Sequence, residues 1–198
     1  MLATCTEAPR AAMGRRSPGA NGPAREDSPA TTVMSPAAAA QRICLKLLTT
    51  RPRSRAELAE ALCRRGIPED VGEAVLDRLG EVGLVNDAAF AESAVYSSHH
   101  HRGLGRRALS IELRRRGVPE EIVCEAVATV RPEDEEQRAR ELVRRKLRSS
   151  TVRDASTLAR RLIAMLARKG YSEGLALRVV RDELERGNWF TEVEPCAD

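Results

Sequence analysis

Aromatic residues are scarce in this chain: Phe90, Tyr96, Tyr171, Trp189 and Phe190 are the whole supply. So few rings leave little to fill the interior of a sheet, and they offer single-stranded nucleic acid almost no stacking platform. Cysteine is no richer. Cys5, Cys44, Cys63, Cys124 and Cys196 are odd in number, widely separated and form no CxxC pair. That excludes a disulfide framework and a zinc module, and it fits a reducing, cytoplasmic setting. No apolar run approaches the roughly 18 residues of a transmembrane helix, and the N-terminus lacks the apolar core of a signal peptide. Membrane spanning and secretion are not expected.

Catalytic signatures are missing as well. The chain has no G-x-S-x-G, no H-E-x-x-H, no G-x-G-x-x-G and no G-K-[ST]. His99, His100 and His101 are adjacent, so on a helix they diverge and cannot all meet one metal ion. Gly103-Leu104-Gly105 has no strand before it and reads as a flexible joint between helices. The expectation is a protein with no enzymatic activity, no cofactor and no metal. Cys44, Cys63 and Cys124 fall in helical stretches and read as small interior or half-buried fillers.

What is present in quantity is Ala, Leu, Arg and Glu, the composition of helices. Charged residues make up 31% of the chain but nearly cancel to a formal +4, so bulk charge does not make it a nucleic-acid coat. Residues 1–36 hold Pro9, Pro18, Pro23, Pro29 and Pro36, no aromatic and no apolar period. Such a segment cannot offset its ordering entropy, and it reads as a disordered arm. Met34 stands just before the first helical pattern, where a shorter product would begin.

From residue 37 the apolar spacing is helical and self-similar. Leu58, Leu62, Arg64, Arg65 and Gly66 recur as Leu109, Leu113, Arg115, Arg116 and Gly117, and again as Leu162, Leu166, Arg168, Lys169 and Gly170. The segments after each glycine also correspond: Ile67-Pro68-Glu69-Asp70-Val71, Val118-Pro119-Glu120-Glu121-Ile122 and, more loosely, Tyr171-Ser172-Glu173-Gly174-Leu175. Each unit therefore contains a helix, a left-handed glycine stop and a second helix whose first turn suits proline. A further helix precedes each pair, at residues 37–48, 87–97 and 132–148. Ser54 with Glu57 is spaced as a capping box, Asn86 is placed as an N-cap, and Glu133 to Glu136 load the first turn of the seventh helix.

The expected fold is all-α: three tandem three-helix modules at 37–85, 86–130 and 131–186, forming an elongated or curved repeat protein. A frayed tail over 187–198 follows, in which Trp189 and Phe190 pack back if anything does. Units of about 50 residues are marginal alone, so neighbours are expected to lean on one another through modest contacts.

Charge is distributed unevenly within the units. Residues 99–117 hold six arginines against Glu112, and residues 144–170 hold nine basic residues against Asp154, whereas residues 69–92 hold seven acids and only Arg78. Cations near helix C-termini complement the dipole, by about 0.3–1 kcal/mol each. Three copies of the same basic corner also suit a macromolecular partner, and the candidate binding residues are Arg64, Arg65, Arg102, Arg106, Arg107, Arg115, Arg116, Arg168 and Lys169. Phe90 and Tyr96 are expected in the core of the second unit rather than at an interface. The alternative function is a helix-turn-helix DNA-binding regulator, with residues 54–62 as its first helix. Its recognition helix would then carry Glu69, Asp70, Glu73 and Asp77 toward a polyanion.

The run Asn86-Asp87-Ala88-Ala89-Phe90-Ala91, then Arg102-Gly103-Leu104-Gly105, Leu109 and Glu112-Leu113-Arg114-Arg115-Arg116-Gly117-Val118, resembles the central region of the RecX family. Arg53-Ser54-Arg55-Ala56-Glu57-Leu58, Arg144-Arg145-Lys146 and Leu166-Ala167-Arg168-Lys169-Gly170-Tyr171 agree with it, so that the resemblance covers about residues 40–186. It implies three tandem three-helix modules and no enzymatic activity. It also implies binding to the RecA nucleoprotein filament, with inhibition of its recombinase, ATPase and co-protease activities in DNA repair and the SOS response. The implied partner is RecA; the basic corners add single- or double-stranded DNA as an expected partner through non-specific phosphate contacts, and the protein is expected to be a monomer.

Because the arm carries no apolar period, a chain beginning at Met34 should keep the helical signal and melting temperature of the full chain. Circular dichroism of the two forms checks this, and a large loss of thermal stability on truncation would assign the arm to the fold.

Overall fold

The computed structural model describes residues 34–151 and 154–187. The proposed arm up to Val33 and the tail beyond Gly187, with Trp189 and Phe190, lie outside the described residues. Nine α-helices are found among those described, and no strand: α1 (Pro36–Leu48), α2 (Arg55–Cys63), α3 (Glu69–Glu81), α4 (Asp87–Ser97), α5 (Arg106–Arg115), α6 (Glu120–Ala128), α7 (Pro132–Arg148), α8 (Ala155–Arg168) and α9 (Glu173–Arg186).

Helix starts follow capping chemistry. Ser35 accepts from the Ala38 amide and Pro36 occupies the first turn, where its missing N–H costs nothing. Ser54 and Glu57 form the expected reciprocal capping box, and Asn86 accepts from the Ala89 amide. Pro68 and Pro119 differ slightly from expectation. Each is the N-cap residue itself, extended at φ −55°, with the helix beginning on the glutamate that follows.

Every extensive helix–helix contact lies within a module: α1, α2 and α3 pack together, as do α4, α5 and α6, and α7, α8 and α9. Three separate cores result. Leu58, Leu62, Leu76 and Leu79 join Ala40 and Cys44 in the first. Leu109, Leu113, Phe90 and Val123 anchor the second, and Leu162, Leu166, Val179 and Leu184 the third. The repeated leucine pair is therefore buried in the same way three times, each side chain contributing about 2 kcal/mol of transfer free energy.

Three expectations are corrected. Tyr96 is 64% exposed, its ring 4.4 Å from that of His100, whereas Phe90 is in the core. Among the described cysteines Cys63 and Cys124 are exposed and Cys44 is buried, because the first two lie on helix faces turned from the cores. The Gly103-Leu104-Gly105 joint is packed rather than flexible. It follows a π-helical turn, Ser98–Arg102, that brings the buried His99 ring within 2.9 Å of the Leu104 carbonyl.

The third module carries an additional restraint. Glu183 on α9, only 5% exposed, accepts from Arg144 at 2.7 and 2.9 Å, from Arg140 at 3.3 Å and from Arg186 at 3.3 Å. Arg140 also reaches Glu136 on its own helix and Asp182, so that the middle of α7 is tied to the last turns of α9. The Arg144 guanidinium, ahead of Arg140 and Arg186, holds the Glu183 carboxyl below the usual glutamate range despite burial. A depressed folded value stabilises above the unfolded value of about 4.3, and the benefit disappears as pH falls through the folded one. Glu183→Gln should therefore cost about 1–3 kcal/mol near neutrality and flatten the acid limb of stability. Melting temperatures at neutral pH and about pH 3 check this, and equal acid sensitivity of the two proteins would remove Glu183 from the account.

Candidate macromolecule-binding surface

The repeated Arg-[Arg/Lys]-Gly corner is a helix stop. Gly66, Gly117 and Gly170 have φ of 74°, 73° and 84°. Each glycine amide donates to the carbonyl three residues back, and the next amide to the carbonyl five back: Ile67 to Leu62 at 3.2 Å, Val118 to Leu113 at 3.2 Å and Tyr171 to Leu166 at 3.1 Å. These paired bonds satisfy the carbonyls that a helix end leaves open, and the apolar residue after glycine folds back toward the last buried leucine.

The corner also joins the modules. The turn of the second module sits on the start of α2: Ser54 Oγ donates to the Arg116 carbonyl at 2.6 Å, and a methyl on Gly117 would collide with Ala56 Cβ. The turn of the third module sits on the start of α5 in the same way. There the Gly105 amide donates to the Lys169 carbonyl at 2.8 Å, and a side chain on Gly170 would collide with Ala108. The exposed first amide of each receiving helix is closed by an acid from the following module: Arg55 N–H donates to Asp87 at 2.7 Å, and Arg106 N–H to Glu135 at 2.8 Å. Tyr171 Oη adds a hydrogen bond to the Gly103 carbonyl at 3.2 Å, and burial pushes its phenol up.

These joints decide which of the nine candidate cations remain available. Arg116 bonds Glu57 at 3.1 and 3.3 Å and lies 4.3 Å over the Phe90 ring, so its charge is spent between modules rather than on the surface. Burial pushes the Glu57 carboxyl up, but hydrogen bonds from Arg116 and Arg51 outweigh it and leave the group below its usual range. Lys169 Nζ donates to the Arg102 carbonyl at 2.6 Å, and burial followed by the charges of Arg145, Arg102 and Arg138 lowers its pKa. Arg102 meets both oxygens of Glu112 at 2.8 Å, and Arg64 pairs with Glu60 at 2.7 Å. Arg106 is half-buried at the second joint. Arg65, Arg107, Arg115 and Arg168 are exposed and have no carboxylate partner among the described residues.

Three further cations were not singled out from the sequence. Arg42, Lys46 and Arg53 line an open cavity of about 590 Å³ together with Arg65, and among the described residues no acidic one lines it. The four-residue spacing of Arg42 and Lys46 on α1 was a legible signal. The approach of Arg53 and Arg65 was not, because it depends on how α2 folds back. Among the described residues no cluster of three or more His, Cys, Asp or Glu side chains is placed to hold a metal ion.

Residues 40–79, 86–127 and 133–180 match, in order, the first, second and third three-helix domains of RecX. The regulatory protein RecX of Thermobifida fusca is 53% identical over 176 residues, 89% of this chain and 91% of that one. That of Streptomyces coelicolor is 55% identical over 157 residues, 79% and 84%. Among solved structures, RecX from Lactobacillus salivarius superposes with a TM-score of 0.65 at 19% identity, covering 76% of this chain and 97% of that one. A second crystal structure of a regulatory protein RecX gives 0.62 at 23% identity, over 74% and 72%.

The joint geometry separates three otherwise equivalent glycines. Gly66→Ala should cost about 1 kcal/mol, the ordinary price of a left-handed backbone. Gly117→Ala and Gly170→Ala should each cost about 1–3 kcal/mol more, because the added methyl overpacks a joint. Urea unfolding midpoints check this, and equal losses at all three positions would mean that the turns are not docked.

Proposed function

We propose, from the fact that this chain belongs to the RecX family, that it is a non-enzymatic regulator which binds the RecA nucleoprotein filament and inhibits its recombinase, ATPase and co-protease activities. The observation that carries the reading is a joint built twice in the same way, which uses some of the repeated cations and leaves others unpaired. Arg107, Arg115 and Arg168 form the core of the proposed contact surface, with Arg64, Arg65, Arg102 and Arg106 beside them. Arg116 and Lys169 act by fixing the modules. A filament repeats its binding sites along its length, and a chain of similar modules can engage several at once. Individually weak contacts then add through effective concentration. Regulation in DNA repair and the SOS response, in the cytoplasm, follows from that partner.

The helix-turn-helix alternative is disfavoured by charge. Glu69 and Asp70 open α3, and Glu73 and Asp77, both paired with Arg55 of α2, follow on it. Such a helix would bring net negative charge to the phosphates of a groove.

Arg115→Glu combined with Arg168→Glu should raise the concentration needed for half-inhibition of RecA ATPase on single-stranded DNA by about tenfold. Both residues are exposed and neither is paired among the described residues, so the melting temperature should stay within about two degrees. Undiminished inhibition would move the contact surface elsewhere. Gel shifts of a duplex with and without RecA separate this reading from direct DNA regulation, which needs no recombinase.

A further inference from the structure

The two joints define, by example, what the Arg-[Arg/Lys]-Gly corner receives. It takes the start of a helix, with a small residue in the second or third position packed on the glycine and a hydrogen-bond donor at the cap for the carbonyl before it. At the first joint a carboxylate in the third position also meets the basic residue of the corner. The chain contains a third copy of this corner. Gly66 has the same backbone, φ 74°, with nothing within 4 Å of where a Cβ would stand. Arg65, which corresponds to Arg116, donates to the Ala61 carbonyl of its own helix at 2.8 Å and has no carboxylate partner among the described residues. No module precedes α1 among the described residues to fill this corner.

We propose that the Arg64-Arg65-Gly66 corner of the first module receives the acidic start of a helix from RecA, a partner assigned by the functional reading above. The occupant is specified by three features. Its cap residue donates to the Arg65 carbonyl, its second or third residue is small, and acids in its first turn face Arg42, Lys46, Arg53 and Arg65. The charge fits. Among the described residues no acidic side chain lines that cavity, and Arg53 Nε is buried with no hydrogen-bond partner.

Two other occupants fit less well. A second copy of this chain would have to offer the start of α8, which is already closed by Asp154 accepting from the Ser156 and Thr157 amides and has Thr157 in the position of Glu57. A DNA phosphodiester would answer the cations, but it has no hydrogen to give the carbonyl of the corner.

Cys63, exposed two residues before Arg65, is a native attachment point, and exposed Cys124 in the second module is its control. Full-length protein with the remaining cysteines changed to Ser, carrying a benzophenone on Cys63, is irradiated with RecA filaments on single-stranded DNA, and the adducts are mapped by mass spectrometry. The expected adduct is a RecA peptide at an acidic helix start, distinct from the adduct made from Cys124. Adducts to DNA, to residues 1–33 of this chain, to a second copy, or none at all while the protein still co-sediments with filaments, would overturn the proposal and leave the functional reading standing. Failure of unlabelled protein to co-sediment would overturn both. Independently, Arg65→Glu with Arg42→Glu, both exposed, should weaken filament affinity at least about tenfold with an unchanged urea midpoint. Unchanged affinity would also overturn the assignment.

Discussion

A glycine that can hold a left-handed backbone and bear no side chain is the constraint on which the repeat depends. The first property ends the second helix of a module; the second lets that end touch the helix start of the module before it. At Gly117 and Gly170 both properties are used together, against Ala56 and Ala108. A residue chosen for backbone freedom alone would tolerate some substitution. One that must also fit beneath a neighbouring methyl tolerates almost none.

The joints are small, yet they close groups that would otherwise be left open. The first amides of α2 and α5 find Asp87 and Glu135 in the following modules, and the carbonyls of Arg116 and Lys169 find donors in the preceding ones. Each exchange is worth about a kilocalorie per mole, because protein hydrogen bonds replace water. Their value lies in direction, since paired bonds running both ways fix one module against the next more firmly than apolar contact of the same area. The cores themselves stay separate, one per module.

The same economy distributes charge. Where a corner is docked its second basic residue turns inward, as Arg116 does to Glu57 and Phe90 and Lys169 to the Arg102 carbonyl. The first basic residue, Arg115 or Arg168, stays outside. Inward-turned and solvent-facing basic residues thus stand one residue apart within one repeated motif. Only Arg65, at the corner with no preceding module among the described residues, has its second-position cation turned outward.

The leucine spacing, the glycine stops, the capping box of Ser54 and Glu57 and the N-cap at Asn86 were legible in the sequence because each is a local interaction, complete within a few residues of chain. Those local rules fixed an all-helical chain of three three-helix units, with the repeated leucines inside. They did not show that Tyr96 is exposed while Phe90 is buried, that the Gly103–Gly105 joint is packed, or which arginines of the repeat face solvent. Arg115 and Arg116 are neighbours in sequence with the same chemistry, and what separates them is Glu57, 59 residues away from Arg116. The tertiary structure alone decided that, because a cation's role depends on which carboxylate, ring or carbonyl the folded chain brings to it.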